Sequence, residues 1–237
     1  MDLKTQGNKL RDLLGLELAP VAISFVETPP AGVQHVPASG PSGCSYWKLA
    51  AEGNTFYTEQ ADHLNCTIGA YTHNVELPPE KGKELESMIG EMVKLEYIRG
   101  EEVPGIPRRN SPFQVAVYAP LADAPGNPDV VIVRGSAKQT MLLTEAAKAA
   151  DIDSDSMSMG RPTCAMIPAA MQSEHGVSSL GCIGNRIYTG LGDNELYFAI
   201  PGGKVSALVE KLETIVNANR QLDTFHRQHA AAVAAGH

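Results

Sequence analysis

Pro41-Ser42-Gly43-Cys44-Ser45-Tyr46-Trp47-Lys48-Leu49-Ala50, continuing to Leu64-Asn65-Cys66-Thr67-Ile68-Gly69-Ala70-Tyr71-Thr72, has a counterpart later in the chain. That counterpart is Arg161-Pro162-Thr163-Cys164-Ala165-Met166-Ile167-Pro168-Ala169-Ala170, continuing to Leu180-Gly181-Cys182-Ile183-Gly184-Asn185-Arg186-Ile187-Tyr188-Thr189. Each stretch sets a cysteine after turn-forming residues, follows it with a short helix-like segment, and then places Leu-x-Cys beside a glycine and a Tyr-Thr. The separations are 66 − 44 = 22 and 182 − 164 = 18 residues, and these four are all the cysteines in the chain.

Working outward, Leu77-Pro78-Pro79-Glu80-Lys81 lines up with Ile200-Pro201-Gly202-Gly203-Lys204. Leu85, Ile89, Met92 and Val93 then fall opposite Leu208, Leu212, Ile215 and Val216 without a gap. Upstream, Val21-Ala22-Ile23 resembles Val115-Ala116-Val117, with an inserted strand and helix near 128–150 lengthening the second copy. The expectation is an α+β fold of two pseudo-symmetric halves packed as one unit, 1–110 carrying Cys44 and Cys66 and 111–237 carrying Cys164 and Cys182. Shared turn chemistry without duplication is the alternative.

Residues 2–14 carry leucines at helical spacing with Gly15 as a stop. Pro20 to Val26, Phe113 to Tyr118, Asp129 to Val133 and Glu195 to Ile200 read as strands, the middle two joined by a hairpin-like or longer turn. The segment 55–72 reads as extended and 151–161 as polar loop. Helices are expected from about Pro79 to Tyr97, from a Ser136 cap to Ala150, and from Lys204 into an Ala-rich tail.

With 237 residues a sizeable core can form. The chain contains no 18-residue apolar run to cross a membrane, and its start lacks a signal-peptide core, so a cytoplasmic location is expected. The net charge of −8, with no basic cluster beyond Arg108-Arg109, argues against nucleic acid as a partner. A reducing compartment keeps the cysteines as thiols, which favours thiolate or metal chemistry over staples.

On the Leu-x-Cys loops, the Pro-Val-Ala-Ile-Ser strand (residues 20–24) and the Ile-Pro-Gly-Gly helix start (residues 200–203), the chain resembles domain-of-unknown-function family 169, bacterial and archaeal proteins with dispersed cysteines. The resemblance covers nearly the whole length. It adds weight to the cysteines as a group and names no activity.

If the halves meet at one site, Cys44, Cys66, Cys164 and Cys182 form a four-thiolate centre suited to an iron–sulfur cluster, [4Fe-4S] being the form expected, or to zinc. Reactive thiols without metal and plain buried cysteines are the remaining readings. There is no Cys-x-x-Cys knuckle. Gly69, Gly181 and Gly184 would let backbone N–H groups approach sulfur, and Arg161 and Arg186 would hold an anionic ligand. His63, His73 and His175 are candidate ligands or proton donors, and Trp47 is read as core with an aromatic lid as the alternative. Tyr71 and Tyr188 are read as packing or capping residues of the repeat. Gly202-Gly203-Lys204 lacks the spacing of a phosphate loop. Two functions follow. One is a redox protein passing electrons to a partner or reducing a small anionic substrate. The other is a small-molecule or metal-binding module. Homo-oligomer formation is left open.

Overall fold

A computed structural model describes residues 1–37, 40–157 and 162–235. Strands alternating with helices build one eight-stranded sheet covered on both faces. The strands are β1 (Val21–Val26), β2 (Gln34–His35), β3 (Phe56–Glu59), β4 (Val115–Pro120), β5 (Val130–Ser136), β6 (Ser154–Met157), β7 (Gly176–Ser179) and β8 (Glu195–Pro201). Their spatial order is β2-β3-β4-β1-β5-β8-β7-β6. The outermost pair at each edge is parallel and every inner pair antiparallel, so the pattern reads the same from either edge.

The apolar runs of the central strands follow from this burial. Side chains alternate across a strand, so Val21, Ile23, Val130 and Ile132 enter one core while Ala22, Val131 and Val133 enter the other. The second core is closed by α1 (Leu3–Leu14), α5 (Ala137–Ala149) and α8 (Val205–Ala234). Leu10, Leu143, Leu208 and Leu212 pack there around Phe198. The first core lies under α2 (Cys44–Ala51), α3 (Thr67–Thr72), α6 (Met166–Ser173) and α7 (Ile183–Thr189), with α4 (Pro79–Lys94) packed on α3. Tyr46, Trp47, Phe56 and Tyr118 form its aromatic centre.

Several local signals act as expected. Gly15 ends α1 with a left-handed φ of 63°, and the Ser136 hydroxyl caps α5 by accepting from the Gln139 N–H. Others do not. Residues 113–118 and 129–133 are not hairpin partners, because β1 lies between β4 and β5. The segment 55–72 is short strand, one 3-10 turn and α3 rather than extended, and 154–157 is an edge strand. Residues 21–23 and 115–117 do not lie apart in two halves but on antiparallel neighbouring strands, Ser24 facing Val117. Nor do the helices after Pro79 and Lys204 hold matching places: α4 rests on α3, and α8 on α5 and α1 across the sheet. An amphipathic period fixes a buried stripe but not which surface buries it. β4, from the second expected half, is inserted between β3 and β1 of the first.

Candidate functional site

The two cysteine stretches place their sulfurs in the same way. Cys44 and Cys164 open helical segments, α2 and the 3-10 turn Thr163–Ala165 that leads into α6. Cys66 and Cys182 are the N-cap residues of α3 and α7. Ser, Thr, Asp and Asn are the usual residues at that position; the Cys182 sulfur takes their place by accepting the Asn185 N–H, whereas Cys66 makes no such side-chain cap. All four cysteines are free, and all four line one cavity of about 970 Å³.

The floor is tied together by short contacts. The Ser42 hydroxyl lies 3.0 Å from the Cys44 Sγ, and the Cys182 Sγ accepts from the Asn185 N–H at 3.4 Å. The Cys182 N–H donates to the Thr163 hydroxyl, joining the two loops of the second stretch. Backbone N–H groups of Gly69, Gly43 and Ile68 lie near enough to the Cys66 sulfur to pull its pKa down, though the sulfur makes no cap hydrogen bond. A Cβ at Gly69 would stand 3.3 Å from that sulfur, so the glycine permits the approach. Gly184 lines the cavity against Tyr188, and Gly181 takes a left-handed φ of 79°.

Burial dominates the electrostatics. It pushes the Cys44 thiol up to about 11, against the Ser42 and Asn185 side chains, which pull it down. It raises Cys66 despite the N–H groups, and it raises Cys164 well above an ordinary thiol. Each of these three also feels neighbouring cysteines, Cys164 feeling all the others. Without a cation, burial keeps Cys44, Cys66 and Cys164 as protonated thiols. Among the described residues no group of three or more His, Cys, Asp and Glu is arranged to hold a metal ion.

Two histidines complete the inner wall. His63 bonds the Thr58 hydroxyl through Nε2 at 2.9 Å, and burial lowers its pKa to about 3. His73 Nδ1 lies 2.9 Å from the Gly69 carbonyl, which can only accept, so Nδ1 carries the proton and Nε2 is a bare lone pair. That Nε2 is buried without a partner, and the pKa of His73 falls to about 4, first through burial and then through Arg109 nearby. Asn185 is 1% exposed and lines the same cavity. Its amide lies beside the Cys44 thiol and the Tyr197 hydroxyl, yet no contact reaches hydrogen-bond geometry, and both amide atoms are buried without a partner.

The outer wall is apolar. Met88, Ile89 and Met92 of α4 face the cavity, with Val103 and Ile106 beyond them. Ile183 and Tyr188 of α7 stand exposed beside the opening. No Lys or Arg is among the described lining residues.

The remaining sequence candidates fall elsewhere. Arg161 lies outside the described residues. Arg186 does not line the cavity; its guanidinium donates to the Leu180 and Gly192 carbonyls and braces the loop around Cys182. His175 pairs with Asp155 at 2.7 Å on the surface. Trp47 is buried edge-on to Tyr197 and also reaches the cavity. Tyr71 lies under the Arg108 guanidinium. Lys204 sits 3.5 Å from Glu174. Asn185 and the α4 wall were missed in the sequence. The one available signal was that Asn185 follows Cys182 by three residues, where Gly69 follows Cys66.

Fold and site together define a mixed α+β protein, one sheet between two helical layers, with four free thiols lining a cavity under one layer. The chain belongs to domain-of-unknown-function family 169, described as uncharacterised ArCR, whose profile matches residues 9–211. It is 27% identical over 225 residues to the uncharacterized protein MJ0308 of Methanocaldococcus jannaschii, covering 90% of this chain and 94% of that protein. No solved structure matches it. Among the described residues no helix is long and apolar enough to cross a membrane.

Proposed function

We propose that the chain is a redox protein in which Cys44, Cys66, Cys164 and Cys182 together hold one [4Fe-4S] cluster, beside a cavity that admits a small molecule. The observation that supports this reading is that four cysteines, from four separate helix starts, line one cavity. The N–H groups of Gly69, Gly43 and Ile68 at Cys66, and of Asn185 at Cys182, are the donors that stabilise sulfur bearing negative charge. A cluster supplies one-electron transfer. A single zinc ion would need all four sulfurs at about 2.3 Å; that no group of three or more His, Cys, Asp and Glu is arranged to hold a metal ion among the described residues weighs on zinc and cluster alike.

An internal repeat supports the same reading in a corrected register, β1 through β4 against β5 through β8. The palindromic strand pairing fits it. So do the matched Leu121 N–H to Pro20 carbonyl and Gly202 N–H to Asp129 carbonyl bonds, each 2.8 Å, after strands ending in Pro120 and Pro201. In this register α4 and α5 are insertions, and each copy contributes one helix-opening and one helix-capping cysteine.

The second reading, a binding protein with free thiols, is favoured by the protonated state that burial imposes on Cys44, Cys66 and Cys164. Replacing each cysteine singly by serine under anaerobic purification separates the two. The cluster reading expects a brown wild-type protein and loss of bound iron in all four variants. A colourless wild type with four thiols open to alkylation and no iron supports the second reading, and stoichiometric zinc overturns both.

A further inference from the structure

The cavity walls specify the kind of molecule they would accept. At about 970 Å³ the space lies at the upper end of small-molecule sites, which run from about 300 to about 1,000 Å³. Its long wall is the Met88-Ile89-Met92 face of α4, unbranched and branched side chains that fit an alkyl or aromatic body. Glu84 and Glu102 also line it, but Lys81 lies 2.7 Å from Glu84 and Arg99 3.1 Å from Glu102, so these charges are already paired. The described lining offers no cation to an anion, and no unpaired carboxylate to an amine.

Two polar groups inside lack partners. Asn185, 1% exposed, presents a donor and an acceptor, and His73, 4% exposed, presents an acceptor at Nε2. An unmet buried hydrogen-bonding group carries a desolvation penalty, which a ligand head of matching polarity would remove. A carboxylate has only acceptors and would oppose the His73 lone pair. A neutral head with both donor and acceptor is complementary to either group.

We propose that the cavity binds an uncharged molecule with an elongated apolar body and one carboxamide-like head, the head paired with the Asn185 amide and the body laid along the α4 wall. This names the substrate class of the site described above; it rests on that reading for the location alone and on the cavity walls for the chemistry.

Calorimetric titration with octanamide, octanoate and octylamine at pH 7.5 tests it, since the three share a tail and differ in the head. The expected result is octanamide binding at least about ten-fold tighter than either charged compound. Asn185→Leu should weaken octanamide about ten-fold, the scale of one or two lost hydrogen bonds, and leave the melting temperature unchanged or raised. Met92→Glu, on the α4 wall, should remove binding of octanamide. Equal or tighter binding of octanoate, an unaffected Asn185→Leu, or no binding of any of the three overturns the proposal. If Asn185→Leu does not fold, the head-group ranking and Met92→Glu still decide it. Iron and sulfide analysis of the same samples keeps the two claims apart. A cluster without octanamide binding sinks only the ligand class, and octanamide binding without iron sinks only the cluster.

Discussion

Acidification from pH 7.5 to 5 should destabilise this protein through His63 and His73. Both rings are buried in the first core, with centroids 5.9 Å apart and Phe113 against each. Burial is the main reason their pKa values fall to about 3 and about 4; the neighbouring His73 adds to the fall at His63, as Arg109 does at His73, while Asp62 opposes it at His63. In the unfolded chain each ring takes a proton near pH 6.5. Between pH 6.5 and 4 the unfolded state therefore binds more protons, so stability is full above 6.5 and falls as the pH drops. At pH 5 each histidine has lost about 2 kcal/mol, about 4 kcal/mol for the pair, a large part of a typical total of about 5–15. Glu195, whose carboxyl is held low first by the Arg134 hydrogen bond, acts in the same direction only near and below its unfolded value of 4.5. Urea unfolding at pH 7.5, 6.5 and 5 should show the midpoint dropping by more than about 1 M, while NMR should find two histidine rings still neutral at pH 5. A flat midpoint over that range, or every ring titrating near 6.5, would refute the reasoning.

The metal-free protein should also lose stability in alkali. Cys44, Cys66 and Cys164 are raised above the ordinary thiol value of 9.0, so the unfolded state releases its protons first and the melting temperature should fall above about pH 9; an unchanged value at pH 10 would contradict this. Gly202→Ala would drive a Cβ to within 1.7 Å of the Pro128 carbonyl oxygen, forcing the backbone apart at the end of β8. It should cost at least about 2 kcal/mol in chemical denaturation, and a neutral result would mean the 3-10 turn after β8 moves freely. Removing the residues after Gln228 takes away exposed turns of α8, residues 229–235 being exposed throughout. The melting temperature should change by less than about 2 °C, and a larger fall would show that this end docks on another surface.

Much of this site was legible because the chemistry is local. Cys44 and Cys164 open helical segments, and the turn residues before each carry that information in sequence; the helix caps at Cys66 and Cys182 came only with the structure, since residues 55–72 read as extended. Gly15 and Ser136 ended and began helices for equally local reasons. Strand order was not legible. β4 pairs with β1 and β3 across roughly the length of the first half, and such long-range pairing leaves no mark within either strand. The apolar match of α4 with α8 misled, since both need a buried stripe and only the sheet determines which face supplies it. Arg186 beside Cys182 suggested an anion site, but its fork is taken up by two backbone carbonyls. Asn185 emerged only in three dimensions, from amide atoms that nothing reaches.

The most direct test of the four-thiol centre is the iron and acid-labile sulfide content of protein purified without oxygen, with its visible spectrum. The account predicts a brown protein with broad visible absorption and iron and sulfide in equal amounts, near one [4Fe-4S] per chain. A colourless protein with neither iron nor sulfide, its four cysteines all free to react, would contradict it.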